Sequence, residues 1–107
     1  MRKFLNKPTT VDGITFDSAK EARRYAELLI LERAGEIKAL ERQPVFRIVI
    51  NGVKVCKYVG DFGYVTRAGK AVVEDVKSPF TAKLPVYRLK KKLMLACEGV
   101  EIMEVGA

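Results

Sequence analysis

Residues 58–77 read Tyr58-Val59-Gly60-Asp61-Phe62-Gly63-Tyr64-Val65-Thr66-Arg67-Ala68-Gly69-Lys70-Ala71-Val72-Val73-Glu74-Asp75-Val76-Lys77. β-branched and aromatic residues crowd both sides of Arg67-Ala68-Gly69, the pattern of two strands joined by a tight turn. A three-residue loop with Gly in the left-handed position is a favoured type I turn plus bulge. It pairs Thr66 with Lys70. The same register sets Asp61 opposite Asp75 and Val59 opposite Lys77. Directly opposed residues hold their Cβ atoms about 4.5–5.5 Å apart. Two carboxylates that close repel unless a proton or a cation joins them. A hard divalent ion such as Mg²⁺ answers that need. A slip of one residue would put Glu74 near Gly63 and leave Asp61 opposite Val76. The partner of Asp61 is therefore Asp75 or Glu74, according to register.

The acids in this stretch are out of place. Between Glu41 and Glu74 lie six bases (Arg42, Arg47, Lys54, Lys57, Arg67 and Lys70) and a single acid, Asp61. Asp is disfavoured inside strands, and two acids and a Lys in Val72–Lys77 are costly unless they have a task. Strand side chains alternate, so Asp75 and Lys77 share one face and Glu74 joins Val72 and Val76 on the other. A Lys beside a metal-binding carboxylate can orient or deprotonate a water, or stabilise charge on a phosphate. An internal salt bridge accounts for the same pair, and a bulge at Gly60 accounts for Asp61.

The rest of the chain builds outward from this hairpin. Residues 1–8 are a basic, mobile arm, and Val11–Phe16 is a turn with a short extended piece. Ser18 and Glu21 form an S-x-x-E capping box that opens a helix. Its apolar positions are Ala22, Tyr25, Leu28, Leu29 and Ile30, and Gly35 stops it. Ile37–Leu40 is a short strand or connector. Val45–Ile50 is extended, Asn51-Gly52 is a two-residue hairpin, and Val53–Thr66 returns as one long strand. Ala71–Ser78 is the next strand, and Pro79 breaks it. A second helix runs from Pro85 to Cys97 with an apolar stripe of Val86, Leu89, Leu93 and Ala96. Gly99 ends it, and Val100–Val105 is the last strand. The order is α-β-β-β-α-β, an α/β domain with a mixed sheet flanked by helices.

Composition narrows the chemistry. The chain has 107 residues, 49% of them apolar, enough for one domain with a core. It has no His, which removes Ser-His-Asp triads, His-metal nucleases and Cys₂His₂ fingers. Cys56 and Cys97 lack metal spacing and read as reduced thiols of a cytoplasmic protein. No signal peptide is apparent, and no run approaches the roughly 18 apolar residues of a membrane span. The net charge of +7 points to a polyanion such as nucleic acid.

An acid on the first helix, an Asp on a strand and a (D/E)-x-K on the next strand occur here in order. That set resembles the PD-(D/E)XK nuclease superfamily, and within it small phage and prophage proteins similar to Holliday-junction resolvases. The passages that carry the resemblance are Asp12–Ser18, Glu21–Tyr25, Glu41–Phe46, Tyr58–Phe62 and Val73–Ser78. It implies a restriction-endonuclease-like αβββαβ core over residues 1–107 and a Mg²⁺-dependent DNA endonuclease, with Mn²⁺ as substitute. Asp61 corresponds to the metal-bridging Asp, Asp75 to the variable acid and Lys77 to the catalytic Lys. The Val76 carbonyl would also reach the metal, and Glu21 would support the metal or its water, although capping alone explains Glu21. Gln43 would border the site. Gly60 stands where the motif has Pro. The basic stretch Lys83, Arg88, Lys91 and Lys92, with Tyr87, would track DNA phosphates without reading sequence. So short a chain favours branched or junction DNA over a sequence site, in phage recombination or DNA processing, and a homodimer if two strands are cut. The location implied is the cytoplasm of a bacterial host. The alternatives are a non-catalytic basic nucleic-acid-binding module and a phage inhibitor of a host nucleic-acid enzyme.

Overall fold

The computed structural model describes residues 8–106. The basic arm expected over residues 1–8 lies, but for Pro8, outside the described residues. The chain opens with a hairpin, β1 (Thr9–Val11) and β2 (Ile14–Phe16), closed by Asp12-Gly13. Both turn residues have positive φ, 53° and 77°, as a type I′ turn requires. The Asp-Gly signal is as strong as Asn51-Gly52, and the sequence reading had seen only a turn there. Helix α1 (Ala19–Arg33) follows, its Glu21 N–H donating to Ser18 Oγ at 3.1 Å.

Five strands separate the helices where the expected order has three, and the first four are β3 (Ile37–Arg42), β4 (Val45–Ile50), β5 (Val53–Val59) and β6 (Phe62–Thr66). Strand β7 (Ala71–Val76) leads to a single helical turn, α2 (Pro79–Ala82). Helix α3 (Pro85–Leu93) continues as a π-helical turn over Met94–Glu98, which ends at Gly99 with φ 67°. Strand β8 (Ile102–Val105) is last. The central sheet has the order β3-β6-β7-β8, antiparallel except for the parallel β7–β8 pair, and β4 with β5 forms a separate ribbon. This is a mixed α/β fold. One core cluster packs α1 and the β1–β2 hairpin onto the sheet through Phe16, Tyr25, Leu28 and Phe62. A second, on Ile48, Tyr58, Val73, Met94 and Ile102, joins the ribbon and the last helix to the sheet.

The expected long strand over 53–66 is bent rather than continuous. Arg42 pairs with Phe62 and Val45 with Val59, one register that runs unbroken through the bend. Across it, the Gln43 N–H donates to the Asp61 carbonyl at 2.9 Å and the Gly60 N–H to the Pro44 carbonyl at 3.0 Å. Gly60 is needed for packing: a Cβ there would lie 2.6 Å from Val73 Cγ1. A Pro at 60 would also lack the N–H that Pro44 accepts. Above the bend β5 peels away from β7, so Val59 faces Val45 and not Lys77, as the hairpin register had implied.

The second helix is also rotated from its expected stripe. Val86 and Leu89 are 66% and 58% exposed, and Ala96 is exposed. The side that packs carries Tyr87, Leu93 and Met94, with half-buried Lys90 and Lys91 between them. The two Lys stems cover apolar surface while their ammonium groups reach the Lys57 carbonyl and Glu104, each at 3.0 Å. A stripe count that treats Lys as polar cannot see this face.

Candidate active site

Strand β7 carries two neighbouring acids to opposite faces of the sheet. Glu74 points toward α1 and is fully buried. Arg24 Nε donates to Glu74 Oε1 at 2.8 Å, and Arg24 Nη2 to Oε2 at 2.7 Å. The Tyr64 hydroxyl also donates to Oε2. Burial, with the bond to Glu74, pushes the Tyr64 phenol up to about 12, and the same carboxylate raises the Arg24 guanidinium. A bidentate Arg and a phenol leave Glu74 little capacity for a cation. The alternative acid is therefore committed to holding α1 on the sheet.

Asp75 points the other way and is 1% exposed. The Tyr58 hydroxyl donates to its Oδ2, and Lys77 Nζ lies 4.0 Å from its Oδ1. Burial raises the carboxyl to about 6, against the lowering effect of Lys77, and the Glu104 charge adds to the rise. Lys77 is itself held from a second side, 4.7 Å above the centroid of the Tyr87 ring. The Tyr87 hydroxyl donates to Glu104 Oε2 at 2.9 Å, and Lys91 Nζ meets the same oxygen at 3.0 Å. Lys91 holds the Glu104 carboxyl below its ordinary range, and burial with Glu104 pushes the Tyr87 phenol up.

Asp61 sits at the fork where β5 leaves β7. The β6–β7 ladder runs in the expected register to Phe62 opposite Glu74 and stops there. The Asp61 N–H then bonds the Glu74 carbonyl at 2.9 Å, and Asp61 Oδ2 accepts the Val76 N–H at 2.7 Å. Once β5 peels off, it can no longer accept that N–H, and the carboxylate satisfies it instead. Direct opposition of Asp61 and Asp75 is thereby replaced by a carboxylate that reaches along β7. Burial raises the Asp61 carboxyl, while the Val76 N–H and Lys77 hold it back.

Glu21 is half-buried and its carboxyl is raised, first by burial and then by Asp61, with smaller contributions from Asp17 and Asp75. Its backbone uses the Ser18 cap, but among the described residues its carboxylate makes no return bond to Ser18. The Gln43 side chain is exposed, and the residue meets the site through its backbone bond to Asp61.

Two residues near the site escaped the sequence reading. Tyr58 lies on the inward face of β5 with Cys56, packed in one cluster with Ile48 of β4, where strand alternation could have placed it. The Arg42 guanidinium stands 5.0 Å over the Phe16 ring, and its buried Nε has no protein partner. Residues 1–100 match the model of one family, described as a protein of unknown function, DUF1064. The chain belongs to this family. No curated protein and no solved structure matches it.

In this DUF1064 chain the residues that could hold a cation are all oxygen donors. Among the described residues, no three Asp, Glu, Cys or His side chains converge as a ready ligand group. Mg²⁺ does not require one, since it keeps several waters and takes one or two carboxylates plus substrate phosphate. Asp61 and Asp75 each use Oδ2 within the protein; Asp75 Oδ1 faces Lys77 Nζ at 4.0 Å, and Asp61 Oδ1 is the carboxylate oxygen that a cation would take first. Hard oxygen donors with raised proton affinity fit Mg²⁺ or Mn²⁺. Glu21, whose carboxyl Asp61 helps to raise, is the further carboxylate nearby. The basic residues divide: Lys83, Arg88 and Lys92 are exposed, whereas Lys91 and Tyr87 are engaged with Glu104. Beside Asp75 and Lys77, between β5 and α3, lies a cleft of about 440 Å³. No helix among the described residues is long and apolar enough to cross a membrane.

Proposed function

We propose that this chain is a metal-dependent DNA endonuclease with a restriction-endonuclease-like core. The observation that carries the reading is the division of β7: Glu74 is consumed by Arg24 and Tyr64, while Asp75 and Lys77 share the opposite face beside Asp61. Asp61 and Asp75 would hold Mg²⁺, which supplies Lewis-acid charge and lowers the pKa of a bound water. Lys77, fixed between Asp75 and the Tyr87 ring, orients an attacking water or meets charge developing on the phosphate. Tyr58 fixes the Asp75 carboxylate, and the Val76 N–H fixes that of Asp61. Exposed Lys83, Arg88 and Lys92 contact DNA phosphates. A homodimer would supply two sites for two strands.

The test is Mg²⁺-dependent cleavage of linear, nicked, flapped and four-way DNA. Asp61→Ala and Lys77→Ala should each abolish cutting while melting stays cooperative, and retained cutting by either purified variant would refute the mechanism. The second reading is a basic binding module without catalysis; among the described residues no three ligands converge. DNA binding with no cleavage in Mg²⁺ or Mn²⁺ would select it.

A further inference from the structure

We infer that the cleft between β5 and α3 receives an unpaired nucleobase next to the phosphate held at Lys77, so that the substrate class is DNA with a single-stranded or displaced nucleotide. The inference rests on the nuclease reading above and adds what the site selects.

The walls of the cleft divide by chemistry. Lys57, Lys77 and Lys90 supply cations against the single carboxylate of Asp75, while Val59, Leu84 and Val86 supply apolar surface. All three apolar side chains are exposed, Val86 the most. They do not serve the protein's own core, because the rotation of α3 turns Val86 outward and buries Met94 instead. The bond from Lys90 Nζ to the Lys57 carbonyl at 3.0 Å braces α3 against β5. The volume, about 440 Å³, falls within the ~300–1,000 Å³ of small-ligand pockets.

Cations alone would bind the phosphates of any duplex. Apolar walls gain nothing from phosphate. The apolar part of a nucleic acid is the face of its bases, which a continuous duplex hides in the stack and an unpaired nucleotide presents. A cleft with cations beside apolar walls, Lys77 among them, therefore matches a strand whose phosphate sits at the Lys and whose base leaves the stack.

The experiment measures binding of the full chain in EDTA, where nothing is cut. The probes are a blunt duplex, the same duplex with one bulged 2-aminopurine, and the same bulge made abasic. The bulged base should bind at least about fivefold tighter than the duplex, the lower end of what stacking one base contributes. It should also change 2-aminopurine emission, and the abasic probe should lose the gain. Leu84→Ser with Val86→Ser should abolish the preference and leave duplex affinity unchanged; if that double variant does not fold, Val86→Ala carries the comparison. Equal affinity for bulge and duplex overturns the inference, as does a preference that survives base removal or the variant. In either case metal-dependent cutting of duplex would leave the nuclease reading standing. Failure of the wild-type chain to bind any of the probes would overturn both.

Discussion

Asp75→Asn should make the metal-free protein more stable above neutrality and no more stable in acid. The folded state raises the Asp75 carboxyl from 3.8 to about 6, chiefly by burial. In the unfolded chain the proton leaves near pH 4, whereas in the folded chain it stays until about pH 6. Between those values the unfolded state binds fewer protons, so stability falls as pH rises through the window, and the penalty is complete above it. At about 1.4 kcal/mol per tenfold change in proton affinity, the rise corresponds to at most about 3 kcal/mol. Asn removes that penalty and can still accept from Tyr58, but it gives up the 4.0 Å pairing with Lys77. The net gain should be about 1–2 kcal/mol. For a domain of this size, that raises Tm at pH 8 by roughly 4–15 °C. The assay is thermal melting of both proteins in EDTA at pH 4, 6 and 8. The gap should open with pH, and Mg²⁺ should narrow it by raising the wild type alone. A gap that does not depend on pH, or an Asn variant less stable at pH 8, would refute the argument.

Glu74→Ala should do the reverse of its neighbour: stripping Arg24 and Tyr64 of their acceptor should cost about 3 kcal/mol, read by urea unfolding. Gly60→Ala should cost about 1–3 kcal/mol by forcing a Cβ against Val73, and additional trimming by Val73→Ala should recover part of it. Arg88→Ala with Lys92→Ala should lower the slope of log affinity against log salt by about 2 in duplex DNA titrations, because both side chains are exposed and each phosphate contact releases about one counterion. Lys91→Ala should alter this slope less, since Lys91 is already paired with Glu104.

Some of this was legible before any coordinates. Arg67-Ala68-Gly69 closes as a three-residue turn, with Gly69 at φ 89° and Thr66 bonded to Lys70 at 2.8 Å, so the register of β6 against β7 follows from local chemistry. Alternation then assigns Glu74 and Asp75 to opposite faces. Ser18, Asn51-Gly52 and Gly99 mark their boundaries by the same kind of rule, one residue type meeting one backbone requirement. Asp12-Gly13 carries the same signal, and its two positive φ angles meet it.

The remainder depends on partners distant in sequence. The stretch 53–66 shows no break in its strand pattern; it bends at Gly60, where no Cβ would fit beside Val73, and there β5 leaves the sheet that holds β7. That departure strands the Val76 N–H and draws the Asp61 carboxylate to it. The apolar count along the second helix favours Val86 and Leu89, yet Tyr87, Leu93 and Met94 are the side chains that pack on the sheet and ribbon, with Lys90 and Lys91 half-buried beside them. The sequence alone thus determined which acids could share a face, since pleating alternates whatever surrounds the strand. Only the tertiary structure decided which acid is tied to Arg24 and Tyr64 and which faces Tyr58 and Lys77. Arg24 lies 50 positions before Glu74, and no local rule links them until α1 docks on the sheet.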